Sequence, residues 1–487
     1  MTKNINKTTE QENDIPLLIA QGKKMGIPEI LDEHFNSHGN WQGNSFGWTS
    51  MVWLAHILSE GDHRLNPVEM WVENQKHILE ISIGDSVRVL GWSDDRLGKV
   101  LDKLGDDEKW VAFETELNRQ TIRVYNLKPQ RVRVDSTTAS GYWMVTNNGL
   151  FQYGHSKVHS PDLPQFKVMI TALDPLGMPL ASQVVSGERA DDKLYISVIQ
   201  QVNERLNESG LLYVGDWKMA AKCIRAYVQN NEDYYLCPLS EVDMPMEELE
   251  TYLQPVWSEK QALVSIEREN AEGQLEKIAK GYEESISFSA EVGEKTIIWT
   301  ERRLIVRSLR YAHAEEESLN SRLTKAQAEL HELAVRKQGK KKIESVAEMQ
   351  AACEKVLKQY RIEGLLKVDI REQSEERQFR AYGKHEAHIE VDRTVTLKSE
   401  INKHEVEEAK RRFGWRVYVT NQPQEELPLE KAILAYREEY LVERGFGCLK
   451  GKPLSVTPMY VQSDKRATGL IRLLSVGLRI LTLIEHQ

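Results

Sequence analysis

LLYVGDWKMAA, residues 211–221, is the stretch whose reading decides the fold. Its apolar run leads directly into Gly215 and Asp216. A short run of this kind fits a strand buried on both faces, as in a parallel sheet. Asp216 then emerges at the carboxyl end of the strand, where open α/β sheets place their ligands. A short helix is predicted from Lys218, and YYLCPL, residues 234–239, predicts the next strand. Upstream, RVRVDSTTAS, residues 131–140, alternates and is rich in β-branched residues, which predicts a strand with Asp135 at its end. Residues 166–185, FKVMITALDPLGMPLASQVV, predict two strands around a Pro-Leu-Gly turn, with a helix following at about 191–207.

Strand, hairpin, helix, strand, helix, strand is the order expected of a ribonuclease-H-like α/β core. A third acidic group comes from AYREEYLVERGFGCLKGKPL, residues 435–454. There Tyr436, Glu443 and Lys450 recur at heptad spacing, and such positions drift only ~20° per step on a helix. A ring, a carboxylate and an ammonium are therefore expected on one helical face. Asp135, Asp216 and Glu443 together suggest a two-metal site for phosphoryl transfer. Two divalent ions about 3.5–4 Å apart stabilise both the attacking and the leaving oxygen. Mg²⁺ prefers carboxylate oxygens, and Mn²⁺ can replace it. Asp135 would bridge the ions, Asp216 would bind one and Glu443 the other. Each acid also has a plainer reading. Asp135 could end a strand in an Asx turn. Asp216 could cap the following helix. Glu443 could belong to a solvated face.

The 487-residue chain reads as several domains. Residues 1–14 are a polar, disordered tail without an apolar signal region. Residues 15–128 are mostly helical in pattern and could bind DNA ends or pack on the core. Residues 129–239 and 426–487 form the ribonuclease-H-like catalytic domain. Residues 240–425 form a large α+β insertion before the Glu-bearing helix. Within it Leu319, Leu323, Ala326, Leu330 and Leu333 make a seam too short to argue a coiled coil, so we read it as packing inside the chain. No apolar run approaches the ~20 residues of a membrane span, and a cytoplasmic protein without membrane contact is expected.

Net charge is -10, which argues against a simple nucleic-acid coat protein. From Arg444 to Arg479, however, seven cations face Asp464 alone. That segregation favours a polyanionic partner, with Arg437, Lys450 and Lys452 as phosphate contacts. Tyr436 could stack near a DNA end. Trp217 could do the same, although a core position suits its size better. Cys223, Cys237, Cys353 and Cys448 are scattered and read as reduced thiols. His385 with His388, and His155 with His159, lack metal-site spacing or partners. The chain has no phosphate-binding loop and no dinucleotide fingerprint.

DDRLGKVLDKL, VDSTTASGYW, YGHSKVHSPDLPQFK, VVSGERADD, YVGDWKMAA, VTNQ, YREEYLVERGFGCLKGKPL and LIRLLSVGLRILTLIE carry a family resemblance. The chain resembles DDE transposases of the IS4 superfamily, of the IS1634 insertion-sequence type. The superfamily's last motif places Tyr, Arg, Glu and Lys around the catalytic Glu, and Tyr436, Glu443 and Lys450 match it. Glu439 stands at the usual Arg position, and Arg437 lies two residues earlier. The resemblance implies a DNA transposase that cleaves at terminal inverted repeats and joins the freed 3′-OH to target DNA. It implies at least a homodimer on DNA. A nuclease that does not join, or an inactive DNA-binding repressor, is the alternative. The chain closes at LTLIEHQ inside a helical pattern without a cap, and relatives usually continue. We therefore expect a shortened C-terminus whose last apolar face lacks a partner.

Overall fold

The computed structural model describes residues 10–35, 41–154, 162–189, 192–270, 272–335, 343, 345–379, 388–438, 440–452 and 454–486. Most of the expected tail, and also His155, His159, His385 and Glu439, lie outside the described residues.

Helices α1 (Ile15–Met25), α2 (Ile27–His34), α3 (Phe46–Glu60), α4 (Val68–Asn74), α5 (Lys76–Ile83), α6 (Asp94–Leu104) and α7 (Asp107–Tyr125) come first. Strands β1 (Arg131–Ser140), β2 (Gln165–Leu173) and β3 (Met178–Ser186) follow. Then come α8 (Asp192–Leu206), β4 (Leu212–Gly215), α9 (Lys222–Asn230), β5 (Tyr234–Pro238) and α10 (Met246–Trp257). The middle of the chain holds β6 (Val264–Glu269), β7 (Leu275–Val292), β8 (Lys295–Ser308), α11 (Leu309–Ala334), α12 (Val346–Gln359), β9 (Leu366–Phe379), β10 (His388–Ile401) and α13 (Lys403–Arg411). β11 (Trp415–Thr420), α14 (Leu429–Arg437), α15 (Tyr440–Lys450) and α16 (Asp464–His486) complete it.

The chain divides into two compact units. The first comprises Met1–Glu248, Glu283–Arg303 and Tyr418–Gln487, and the second Leu249–Tyr282 and Leu304–Val417. The N-terminal helices and the sheet thus belong to one unit. Both segments of the second unit fall within residues 240–425, and Glu283–Arg303 between them goes with the first unit.

The first unit is mixed α/β. Its sheet runs in the order β3-β2-β1-β4-β5-β11. β1, β2 and β3 pair antiparallel, as the tight turn at Asp174–Gly177 requires. β4 and β5 run parallel to β1, each reached through a helical crossover. All of β2 and β4 is buried. Asp135 corrects its expected place at a strand end. β1 continues to Ser140 because β2 pairs with it that far. The parallel partner β4 stops at Gly215, so Asp135 still lies where one neighbour has ended.

α3 and α16 form the centre of the helical layer. α3 is buried from Phe46 to Ile57 almost without a polar face. α16 buries Leu470, Ile471, Leu474, Val476, Ile480 and Leu483. Two expectations fail here. The last apolar face does have a partner, because α16 packs on α6, α3, β3 and α15. Among the described residues one helix is also long and apolar enough to cross a membrane: α16, whose most apolar stretch has mean hydropathy 1.7 and is 78% buried within the molecule. Close packing explains Gly469, where a Cβ would come within 2.2 Å of the Leu101 carbonyl.

Charges inside this layer are paired. Glu114 of α7, fully buried, meets Arg479 of α16 at 2.7 Å and Arg205 of α8 at 2.9 Å. Arg479 also donates to the Leu180 carbonyl of β3. Burial lowers the Arg479 guanidinium to about 10, and Glu114 opposes the shift.

In the second unit Leu319, Leu323, Ala326 and Leu330 of α11 pack against Met349, Cys353 and Val356 of α12 and against β10. The seam is internal packing. β9 and β10 form a two-stranded ribbon, and β6 pairs antiparallel with the start of β7.

Glu114→Gln should destabilise the protein by about 3–5 kcal/mol in urea unfolding, since it leaves two buried guanidiniums without their carboxylate. A loss below about 1 kcal/mol would mean these charges behave as surface pairs. His56 gives a pH test. It is 2% exposed, edge-on to Trp71, and burial lowers it from 6.5 to about 4 against a raising pull from Asp62. The unfolded chain binds this proton more readily than the folded one. Stability is therefore complete above about pH 6.5 and should fall by about 3 kcal/mol toward pH 4. His56→Leu should flatten that part of the urea-midpoint profile, and an unchanged slope would refute the assignment.

Candidate active site at the ends of two parallel strands

Val134 of β1 pairs with Gly215 of β4 in parallel register. Asp135 and Asp216 are the next residue on each strand, so the register itself sets the two carboxylates side by side. Both line one small cavity with Arg133, Val134, Val214, Gly215, Tyr436 and Val442. Gly215 is required for this approach. A Cβ there would lie 2.8 Å from the Met219 sulfur and 3.2 Å from the Val134 carbonyl.

Asp216 is half-buried with extended backbone. Its Oδ1 accepts from the Tyr195 hydroxyl at 2.6 Å and from the Lys218 amide at 3.0 Å. The second bond caps the 3₁₀ turn Trp217–Ala220, so the capping reading of Asp216 is also true. Both of these bonds fall on Oδ1, which leaves Oδ2 for a ligand. Asp135 is half-buried, and its Oδ1 accepts from the Ser136 amide at 2.6 Å.

Glu443 stands in the first turn of α15, which packs on β1. Its neighbour Val442 is buried and lines the aspartate cavity, while Glu443 is exposed. Among the described residues no group of three or more His, Cys, Asp or Glu is placed to hold a metal ion. The two aspartates are brought together, and Glu443 lies one residue away from the cavity wall. Two adjacent carboxylates, one with an uncommitted oxygen, suit a hard divalent cation in donor type, but a closed three-carboxylate set is not assembled.

The expected single-helix stripe is corrected. Tyr436 lies in the last turn of α14, and Glu443 and Lys450 lie on α15. Arg133 accounts for the break. Its guanidinium, 3% exposed, donates to the carbonyls of Ala435 and Tyr436 at the α14 C-terminus. Helix-end carbonyls need such donors. The same group pairs with Asp174 at 3.0 Å. Glu438, in the turn, binds Arg131 at 2.6 Å, and Arg131 also pairs with Asp174. Tyr436 is buried edge-on to Tyr418 at 4.8 Å and is not a surface ring.

Arg133, Asp174, Tyr195 and Glu438 did not stand out in the sequence. One signal was available: a strand buried in mid-sheet that carries Arg131, Arg133 and Asp135 requires buried partners for those charges.

Other expected contacts divide. Trp217 is 53% exposed beside Asp216, not in the core, with the Lys218 ammonium 5.7 Å from its ring. Lys452 is exposed. Arg437 and Lys450 are half-buried and have interactions within the molecule. The basic C-terminal stretch is largely neutralised from elsewhere. Arg444 pairs with Glu485, Arg466 with Asp102, Arg472 with Asp107 and Arg479 with Glu114.

No protein-family model matches this chain, and no curated protein matches it. Among solved structures, the cryo-EM structure of a piggyBac transposase synaptic complex with hairpin DNA aligns at 9% identity with a TM-score of 0.28, over 61% of this chain. The chain spans 57% of that protein's length, and a TM-score of this size carries no argument.

Proposed function

We propose that the protein is a DNA transposase of the IS4 superfamily, IS1634 type, that cleaves insertion-sequence ends and joins them to target DNA. The observation that carries the reading is the pairing of Asp135 and Asp216 at neighbouring positions of two parallel strands. The strand order β3-β2-β1-β4-β5, with the first three antiparallel, supports a ribonuclease-H-like core. The packing of α15 on β1 supports Glu443 as the third carboxylate. Bound Mg²⁺ ions would activate the attacking oxygen and stabilise the leaving one. Asp135, Asp216 and Glu443 would hold them, with Tyr195 and the Lys218 amide fixing the orientation of Asp216. For Glu443 to join, α15 has to shift or the side chain has to swing from solvent. Bound cations would supply the attraction for that movement. Lys452, with Arg437 and Lys450, would contact phosphates. Two copies of the chain would pair the two ends of the element.

A DNA-binding relative without catalysis is the second reading, and the exposed position of Glu443 is what favours it.

A labelled duplex taken from the DNA flanking the coding region tests the proposal. Mg²⁺ or Mn²⁺ should support strand cleavage, and Ca²⁺ should support binding with little cleavage. Asp135→Ala, Asp216→Ala and Glu443→Ala should each lower cleavage by about 100-fold or more, the loss of several kcal/mol of charge stabilisation. Near-wild-type cleavage by Glu443→Ala would remove it from the site, and no cleavage by the wild type would favour the second reading.

Salt dependence tests the DNA contacts separately. Lys452→Ala should reduce the slope of log affinity against log salt by about one unit, because one fewer condensed counterion is released. An unchanged slope would take Lys452 out of the interface.

A further inference from the structure

A cleft of about 640 Å³ opens among His63, Arg64, Asp94, Tyr460, Gln462 and Arg466. Ligand pockets commonly span about 300–1,000 Å³. It shares no residue with the aspartate cavity. His63 lies in the loop after α3, Asp94 opens α6, and Tyr460 and Gln462 precede α16.

The lining combines three kinds of chemistry. Tyr460 is an aromatic ring left 62% exposed. His63 is only 3% exposed, yet neither ring nitrogen has a hydrogen-bond partner; the Ser455 backbone lies beside the ring without closing a normal bond. Arg64 is held by Asp62 through Nε and Nη2, and Arg466 by Asp102 through the same two atoms. The Nη1 of each guanidinium is therefore the nitrogen open to a further acceptor. The aspartates orient these forks and also cancel their net charge. Asp94 adds an exposed carboxylate, and Gln462 an amide.

This composition does not fit a bare polyanion, which Asp94 would repel, or an apolar ligand, which would cover the Asp94 carboxylate and two guanidiniums without pairing them. It fits a molecule with an aromatic face, a polar edge and one phosphate. A base paired and stacked in a duplex presents no free face. We propose that the cleft binds an unpaired nucleotide of a DNA strand. The base stacks on Tyr460, its edge meets Asp94 and Gln462, and its phosphate is held by Nη1 of Arg64 and Arg466. Base–aromatic stacking with guanidinium support is the usual basis of single-strand binding. The choice of DNA over RNA rests on the proposed transposase function, and the cleft itself does not.

Fluorescence anisotropy with a short labelled oligodeoxynucleotide tests it, alongside the matching duplex and the matching ribo-oligonucleotide. Tyr460→Ala should weaken single-strand binding about tenfold, the loss of one base–aromatic stack, and leave duplex binding unchanged. Tyr460→Phe should retain wild-type affinity, and the double variant Arg64→Gln, Arg466→Gln should lose it as Tyr460→Ala does. Asp216→Ala should bind the single strand normally while failing to cleave, so failure of the cleft and failure of the catalytic site are read separately. Unchanged binding by Tyr460→Ala, or an equal loss for duplex, would overturn the site. Tighter binding of the ribo-oligonucleotide would overturn its assignment to DNA.

Discussion

The guanidinium of Arg133 is the constraint on which the arrangement around the two aspartates depends. It projects from β1 two residues before Asp135 and reaches three parts of the chain. It satisfies the last carbonyls of α14, it pairs with Asp174 in the β2–β3 turn, and it lies 3.6 Å from Glu438. A buried charge without partners costs several kcal/mol, so these contacts are close to obligatory once β1 is in mid-sheet. Their consequence is directional. α14 stops where Arg133 meets the carbonyls of its last turn, and α15 begins at Tyr440. Val442, not Glu443, then faces the cavity.

A second layer of paired charge holds the helices to the sheet. Glu114 draws together α7, α8 and α16 through Arg205 and Arg479, and Arg479 reaches the β3 backbone as well. This pairing changes the meaning of the basic C-terminal segment. Read along the chain, its cations look available to a polyanion. In the fold, four of them meet carboxylates that are remote in sequence, and two of these four are buried. Charge available to a polyanion is thus a smaller set, and Lys452 is the clearest exposed member.

Much of the sheet was legible because its signals are local. The apolar run before Gly215, the alternation at Arg131 and the turn at Asp174–Gly177 each depend on neighbours in sequence. The seam of α11 was legible for the same reason. Heptad spacing misled at Tyr436, because periodicity extends a helix until something ends it. This one ends where Arg133, about 300 residues away in sequence, meets its last-turn carbonyls. Trp217 misled because size favours burial, whereas a residue directly after a strand-end aspartate sits at the mouth of the sheet.

By itself the sequence determined the strands and helices from Arg131 to Pro238, and that Asp135 and Asp216 each follow a buried residue of a strand. Those are consequences of side-chain period and backbone preference, which act over a few residues. Only the tertiary structure decided that the two strands are neighbours in a register that sets the carboxylates side by side. It also decided that Glu443 points to solvent, that α16 is a core helix, and which cations remain free. Each of these depends on pairing between groups far apart in the chain, and desolvation makes such pairing a property of the packed molecule.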